Sequence, residues 1–144
     1  MPDPVNGRPV TPRNTAMGVA AGALKAQQSR MRVIAENIAN AQSTARTAGG
    51  EPYRRQIPVF QAREVDGATG VALAEVRPDS SDFKMDYDPS HPAANAQGYV
   101  MRPNVDTLVE AMDMREAQRA YEANLNVIET ARSMDSRTLD IIKR

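Results

Sequence analysis

The chain has 144 residues, and its 18 acidic and 18 basic side chains give a formal net charge of zero. A neutral chain has no overall attraction for nucleic acid or for an anionic membrane, and the absence of cysteine excludes disulfides, thiol catalysis and cysteine-based metal sites. Only 4% of the residues are aromatic, so the composition favours thin contacts between helices over a deep core.

Residues 1–13 are predicted to form a flexible arm, because four prolines and a glycine fall within the first twelve positions. No stretch approaches the ~18 apolar residues of a membrane span. Residues 16–24 follow two arginines and resemble the apolar part of a secretory signal. Their only bulky apolar side chains are Met17, Val19 and Leu24, and the helical period continues beyond them, so a cleaved signal peptide is not expected.

Residues 14–48 are predicted to be an N-terminal helix followed by a loop. Apolar residues repeat at seven-residue steps, with a second set three residues after each, which is the spacing of a coiled-coil seam. The seam consists of Met17, Leu24, Met31 and Ile38, followed respectively by Ala20, the polar Gln27, Ile34 and Ala41.

Small residues recur four apart in this helix, at Gly18, Gly22 and Ala26. Glycine lowers helix propensity but lets another backbone approach closely. The pattern therefore indicates either a weak helix start or close packing in a crowded assembly, and the sequence favours neither.

Residues 49–103 are predicted to form a small β-rich module. One strand is expected from Tyr53 to Arg63, with Pro58 restricting it to an edge or a bulge. Asp66, Gly67 and Gly70 offer a turn before a returning strand. The returning strand is marked by Val71, Leu73 and Val76, a third alternation by Phe83, Met85 and Tyr87, and a proline-punctuated segment occupies residues 88–103.

Residues 104–144 contain neither glycine nor proline and are predicted to form one helix roughly 60 Å long, at ~1.5 Å per residue. Asn104 follows Pro103 as the expected cap, with Asp106 in the first turn. Such a helix is longer than any core this chain could form, so part of it must contact other molecules. Its apolar seam consists of Leu108, Ala111, Met114, Ala117, Tyr121, Leu125, Ile128, Ala131, Met134, Thr138 and Ile142.

The residues that could carry chemistry are few. Asp86, Asp88 and His91 could hold a divalent metal, but proline-rich turns commonly use the same residue types, and the turn interpretation is preferred. Arg54 and Arg55 are expected to pair with carboxylates, and Tyr87 and Tyr121 to lie in the core. No phosphate loop, nucleophile motif or second histidine is present, so no catalytic, metal or cofactor site is predicted.

Four segments, in order along the chain, resemble the bacterial flagellar axial proteins that build the rod and hook. They are AENIANAQ (35–42), YRRQIPVF (53–60), YDPSHPAANAQGYVMRPNV (87–105) and EAMDMREAQRAYEANLNVIETARSM (110–134). The resemblance is strongest to proximal-rod members. The residues that carry it are Asn37, Ile38, Ala39, Asn40, Tyr53, Arg54, Arg55, Pro89, His91, Pro92, Gly98, Tyr99, Pro103 and Asn104.

This resemblance implies a structural subunit of the basal-body rod, which crosses the periplasm and transmits torque from motor to hook. Members are exported by the flagellar type III apparatus without a cleaved signal. The implied partners are copies of the chain itself, the rod subunits FlgB, FlgF and FlgG, and the rod-base protein FliE, with no nucleic acid and no membrane insertion.

The implied fold is α+β, with the terminal helices paired in an antiparallel coiled coil around a small β-rich module. The two seams predict the same pairing independently, since roughly 28 residues of N-terminal helix can lie along a partner of about 40 residues. Two other functions remain as alternatives. The heptads alone would suit a soluble coiled-coil adaptor or regulator, and the turn with Asp86, Asp88 and His91 would suit a metal-dependent enzyme.

Overall fold

The computed structural model describes residues 12–143, and it contains two helices and four strands. The elements are α1 (Pro12–Ala39), β1 (Gln56–Val65), β2 (Ala68–Pro78), β3 (Lys84–Tyr87), β4 (Tyr99–Arg102) and α2 (Thr107–Lys143). The strands form two sheets, one from β1 and β2 and one from β3 and β4. Long terminal helices with a small strand module between them confirm the predicted α+β class.

The first helix begins earlier than its predicted start at Asn14. Pro12 and Arg13 already belong to α1, as proline is well tolerated in a first helical turn, where its missing N–H is not needed. The remainder of the predicted flexible arm, residues 1–11, lies outside the described residues.

The described residues divide into two compact units. One contains α1 up to Ser29, Phe60–Ala74 and the chain from Ala117 onward, and the other contains Arg30–Val59 and Glu75–Glu116. The first is called the hairpin unit below, because it contains the tip of the β1–β2 hairpin. The second is called the motif unit, because it contains most of the four segments that resemble flagellar axial proteins.

In the hairpin unit, β1 and β2 are joined by a two-residue turn. Asp66 has φ +49° and Gly67 has φ +83°, the left-handed conformation that a tight hairpin turn requires at both central positions. The prediction of this turn is confirmed, but Gly70 lies inside β2 rather than in the turn. An added Cβ at Gly70 would be 3.1 Å from Cγ2 of Val65, so a side chain there would require a small shift of Val65.

The small residues of α1 pack against this hairpin. A Cβ added at Gly18 would lie 2.8 Å from Cγ1 of Val65, and one at Gly22 would lie 3.5 Å from the carbonyl oxygen of Val71. The small residues therefore let the chain's own hairpin pack closely on α1, and close packing in a crowded assembly stays a prediction.

In the motif unit, α1 and α2 run antiparallel. Arg30 of α1 forms an ion pair with Glu116 of α2, its Nη2 lying 3.4 Å from Oε2. Further along α1, Asn37 bonds to Tyr53 in the segment that precedes β1, and Arg55 of that segment bonds to Glu110, which lies before Glu116 in α2. The buried apolar residues of this unit are Val33, Ile34, Ala41, Ala93, Val100 and Val105.

The second sheet is antiparallel, with Lys84 opposite Arg102 and Tyr87 opposite Tyr99. The alternation around Met85 predicted β3, but β4 was missed because it lies inside the segment taken as proline-punctuated loop. Likewise, β1 starts at Gln56 instead of Tyr53. The backbone N–H of Arg55 donates to the side chain of Asn104, so it is not available to a neighbouring strand. The side chains of Tyr53 and Arg54 bond to Asn37 and to the carbonyl oxygen of Asp79, which also lie outside the β1–β2 sheet.

The second helix is capped by Asp106, and the predicted cap at Asn104 was wrong. Oδ1 of Asp106 accepts hydrogen bonds from the backbone N–H groups of Leu108 (3.0 Å) and Val109 (3.4 Å). Asn104 is engaged elsewhere: its Oδ1 accepts from the backbone N–H of Arg55 at 2.8 Å, and its Nδ2 donates to the carbonyl oxygen of Ser81 at 3.1 Å.

Candidate functional site

The motif unit is held together by an ionic cluster centred on Arg55. Its Nε donates to Oε1 of Glu110, its Nη1 lies 3.1 Å from Oδ2 of Asp79, and its Nη2 lies 4.0 Å from Oδ2 of Asp113. Glu110 is only 1% exposed. Burial works to lower the pKa of Arg55, but the hydrogen bonds with Glu110 and Asp79 outweigh it and raise the pKa above its ordinary value. The guanidinium is therefore always charged.

Asp79 joins the cluster to the loop after β2. The backbone N–H of Ser81 donates to Oδ1 of Asp79 at 2.8 Å, and this hydrogen bond is the main reason that the pKa of Asp79 is lowered. Partial burial opposes the shift, while Arg55 adds to it. The carboxylate thus ties two chain segments together only while it is ionised.

Asn37 connects α1 to the start of β1 through three hydrogen bonds. Its Oδ1 accepts from the hydroxyl of Tyr53 (2.7 Å) and the backbone N–H of Gln56 (2.9 Å), and its Nδ2 donates to the carbonyl oxygen of Gln56 (2.9 Å). Asn37 is fully buried, so each of these groups replaces a water partner. Burial, then the negative charges of Glu36 and Glu110, raise the pKa of Tyr53, which keeps its hydroxyl a donor.

Among residues 12–143, Arg54 has no carboxylate partner, unlike Arg55, so that half of the prediction was wrong. Its Nη1 donates to the carbonyl oxygens of Asp79 (2.7 Å) and Ser81 (2.9 Å), and its guanidinium lies 4.1 Å from the centroid of the Phe83 ring. Carbonyl acceptors and a ring face suit a guanidinium because it is planar and weakly hydrated.

The candidate metal residues have other partners. Asp86 forms an ion pair with Arg102 at 3.3 Å, Asp88 accepts from the hydroxyl of Ser90 at 2.8 Å, and Nδ1 of His91 accepts from the backbone N–H of Ala93 at 3.0 Å. Within residues 12–143, no group of three or more histidine or acidic side chains could hold a metal ion.

Among the other residues that carry the family resemblance, Gly98 and Pro89 shape the turn between β3 and β4. Gly98 has φ +88°, and a Cβ added there would lie 3.0 Å from Cε2 of Tyr87 and 3.1 Å from Cγ of Pro89. The expectation that Tyr87 lies in the core was wrong, since 65% of it is exposed. Of the other residues that carry the resemblance, Pro103 is buried, Asn40 is half-buried with its Nδ2 donating to the carbonyl oxygen of Glu36, and Ile38, Ala39, Pro92 and Tyr99 are exposed.

The predicted helix seams lie only partly inside the folded chain. Some seam residues are covered, and others, including both ends of the α2 seam, are exposed. Covered or half-covered are Met17, Leu24, Met31, Ile34, Met114, Ala117, Tyr121, Ile128 and Ala131, and exposed are Ile38, Leu108, Leu125, Met134 and Ile142. Their role in contacts between subunits stays a prediction.

The N-terminal turns of α2 show how the seam departs from its prediction. Leu108 is 70% exposed, whereas Glu110 points inward to Arg55. Sequence reasoning missed this because a glutamate in an amphipathic helix is ordinarily assigned to the solvated face. The only available signal was Arg55, which was expected to pair with a carboxylate, but the sequence does not show that Glu110 is that carboxylate.

Two flagellar families match this chain. The model described as "Flagella basal body rod protein" matches residues 17–46, and "Flagellar basal body rod FlgEFG protein C-terminal" matches residues 96–141. "Flagellar basal-body rod protein FlgC" from Agrobacterium fabrum is 44% identical over 92% of this chain and 96% of its own length. The FlgC proteins of Bacillus subtilis (37% identical over 89% of this chain and 97% of the relative) and Salmonella typhimurium (40%, over 85% and 92%) are also similar.

The chain belongs to the FlgC family of flagellar basal-body rod proteins.

Membership in the FlgC family confirms the resemblance drawn from the four sequence segments. The FlgC family consists of structural rod proteins and not of enzymes, which agrees with a site made of packing contacts and ion pairs. No helix among residues 12–143 is long and apolar enough to cross a membrane.

Proposed function

We propose that this chain is a structural subunit of the proximal part of the flagellar basal-body rod, and that it polymerises through its terminal helices. The ionic cluster around Arg55 and the three hydrogen bonds of Asn37 brace one end of each helix against the strand module. Supported in this way, the helices can carry load from subunit to subunit and so transmit torque from motor to hook.

The observation that carries this proposal is the uncovered end of α2. Ile141 and Ile142 are each 74% exposed, and Met134 and Leu139 are exposed before them. Fully burying such side chains is worth about 1.5 to 3 kcal/mol each, so this helix end is stabilised when a complementary neighbouring surface covers the four side chains. The family model described as "Flagellar basal body rod FlgEFG protein C-terminal" matches residues 96–141, which include Met134, Leu139 and Ile141, and this makes neighbouring rod helices the fitting cover.

The partners we propose are copies of this chain, the rod subunits FlgB, FlgF and FlgG, and the rod-base protein FliE. The chain would reach its place, in the rod that crosses the periplasm, through the flagellar type III export apparatus and without losing a signal peptide. Its neutral net charge gives no reason to expect nucleic acid as a partner.

The proposal is tested in a strain that lacks the chromosomal gene, complemented with a tagged copy. We expect swimming to be restored and the tag to co-purify with hook basal bodies, at the level of the rod in electron micrographs. A double Ile141→Asp, Ile142→Asp variant should be secreted but absent from basal bodies. Its control is Asp140→Asn with Lys143→Gln, which changes two charges beside the same positions and should assemble.

A soluble coiled-coil adaptor is the competing function. It would form a defined oligomer in dilute solution and would be found outside purified basal bodies. A rod subunit should instead remain monomeric until a growing rod supplies its partners.

A further inference from the structure

The β3–β4 sheet has one face that the described residues leave open. Met85 and Tyr87 of β3 lie directly opposite Met101 and Tyr99 of β4, so these four side chains share one face. Met85 is 53% exposed, Tyr87 and Tyr99 are exposed, and Met101 is half-buried. They are called the tyrosine face below.

The opposite face of the same sheet is built differently. It carries Val100, which is completely buried, together with the ion pair between Asp86 and Arg102. An ordinary two-stranded sheet on a protein surface buries its apolar face and exposes its charged one. In the β3–β4 sheet, Lys84 and Asp86 of the charged face are exposed as expected, but the uncharged and mostly apolar tyrosine face is exposed as well, which indicates that another segment covers it in the assembled state.

The tyrosine face also has a fixed shape. The rings of Tyr87 and Tyr99 form an edge-to-face pair with centroids 5.2 Å apart, and Gly98 and Pro89 pack against the edge of Tyr87. Aromatic surfaces of this kind bind proline-rich segments, because proline rings stack on aromatic rings and the stiff segment loses little conformational entropy on binding.

We infer that the tyrosine face is a docking surface for the proline-rich N-terminal segment, residues 1–11, of a neighbouring copy of this chain. The inference rests on the proposed function, in which copies lie side by side. The segment MPDPVNGRPVT contains three prolines, two valines and a methionine, and its single aspartate and single arginine cancel, which suits an uncharged face.

Length also fits this partner. Eleven residues span up to about 36 Å when extended, whereas a strand of four residues is only about 13 Å long. The segment can therefore cover the whole tyrosine face with more than half of its extended length to spare.

The test uses the absence of cysteine from the natural sequence. Two differently tagged copies are produced together in cells lacking the chromosomal gene, one carrying Val5→Cys and the other Met85→Cys, and isolated basal bodies are treated with a short bis-maleimide. We expect a cross-linked product that carries both tags. The matched control replaces Met85→Cys with Asp86→Cys, the next residue of β3 but on the opposite face, and should give several-fold less product.

Equal yields from the two cysteine positions, or no product with Met85→Cys, would overturn the inference. A chain that carries both Val5→Cys and Met85→Cys and cross-links only within itself would also overturn it, because the segment would then dock on its own subunit. Absence of the tagged natural chain from basal bodies would instead contradict the proposed function itself.

Discussion

Arg55 donates a hydrogen bond from Nε to Oε1 of Glu110, although the two residues lie 55 positions apart and Glu110 is almost completely buried. The other carboxylate oxygen, Oε2, is buried and accepts no hydrogen bond from the described residues. The charge of Glu110 is therefore compensated mainly by one arginine, and this contact helps to hold the segment before β1 against the first turns of α2.

Replacing Arg55 with Met should destabilise the chain by about 3 kcal/mol, because Glu110 would remain buried without its cation. The measurement is the free energy of unfolding from urea titrations followed by circular dichroism. The double variant Arg55→Met, Glu110→Leu removes both charges and should recover most of the loss. Asp113→Asn, at the 4.0 Å edge of the cluster, should cost less than about 1 kcal/mol. A single Arg55→Met variant as stable as the natural chain would contradict the compensation described above.

Lowering the pH should reduce the stability of the motif unit, because the carboxylate of Asp79 becomes protonated. Its pKa is lowered in the folded chain, first by the N–H of Ser81, so its contribution is complete above the ordinary value of 3.8 and is lost as the pH falls through the folded pKa. The free energy of unfolding should therefore fall with decreasing pH below about 4. In Asp79→Asn, the fall of the unfolding free energy below pH about 4 should become shallower. The control is Asp82→Asn, because among residues 12–143 the structure shows no hydrogen bond to Asp82 like the one from Ser81 to Asp79, and this variant should keep the fall of the natural chain. Parallel acid profiles for the natural chain and Asp79→Asn would count against this role.

Two glycines of α1 should respond to alanine with opposite signs. At Gly18 the new Cβ would lie 2.8 Å from Cγ1 of Val65, a stiff β-branched side chain, and the overlap should outweigh the ~1 kcal/mol gain in helix propensity. At Gly22 the nearest atom is 3.5 Å away, an ordinary contact, so the gain should prevail. Melting temperatures should fall for Gly18→Ala and rise for Gly22→Ala. A rise in both would mean that α1 does not pack closely on the hairpin.

The sequence predicted what depends on local pattern and failed where distant segments compete for one side chain. Heptad spacing and the absence of breakers identified both helices, and Asp66–Gly67 identified the hairpin turn. Asn104 was chosen as a cap because it follows a proline, yet Arg55 and Ser81, far away in the chain, use both ends of its amide. No local rule distinguishes Asn104 from Asp106 without knowing those partners.

The helix seams were predictable in the middle and not at the ends for a related reason. Periodicity gives the apolar face of a helix but not how much of that face its own chain covers. Met114, Ala117 and Ile128 are covered or half-covered, as spacing predicts, while Leu108 and Ile142 follow the same spacing and are exposed. Under the proposed function, neighbouring rod subunits would cover these exposed residues, and the sequence of one chain does not show which of them they would cover.

The strongest test of the helical assembly is a carboxylate in the covered part of the α2 seam. Ile128 is half-buried in the isolated chain, and Ile128→Asp would forfeit ~2 to 3 kcal/mol of burial in the assembled rod and add the cost of desolvating an unpaired charge. In the free subunit the new carboxylate can still reach water. Expression, solubility and export should therefore change little, while incorporation into the rod fails and the cells are non-motile without hooks.

The matched control for this substitution is the adjacent residue on the exposed side of the helix. Glu129 is exposed, so Glu129→Gln removes only a screened surface charge, should cost at most ~1 kcal/mol and should leave swimming intact. Motility in soft agar and counts of hook basal bodies by electron microscopy measure both variants, and secreted protein in the medium separates failed export from failed assembly. Normal flagella on Ile128→Asp cells would show that this stretch of α2 meets no neighbouring subunit, and the contacts that build the rod would then have to come from the exposed ends of the helices and from the tyrosine face.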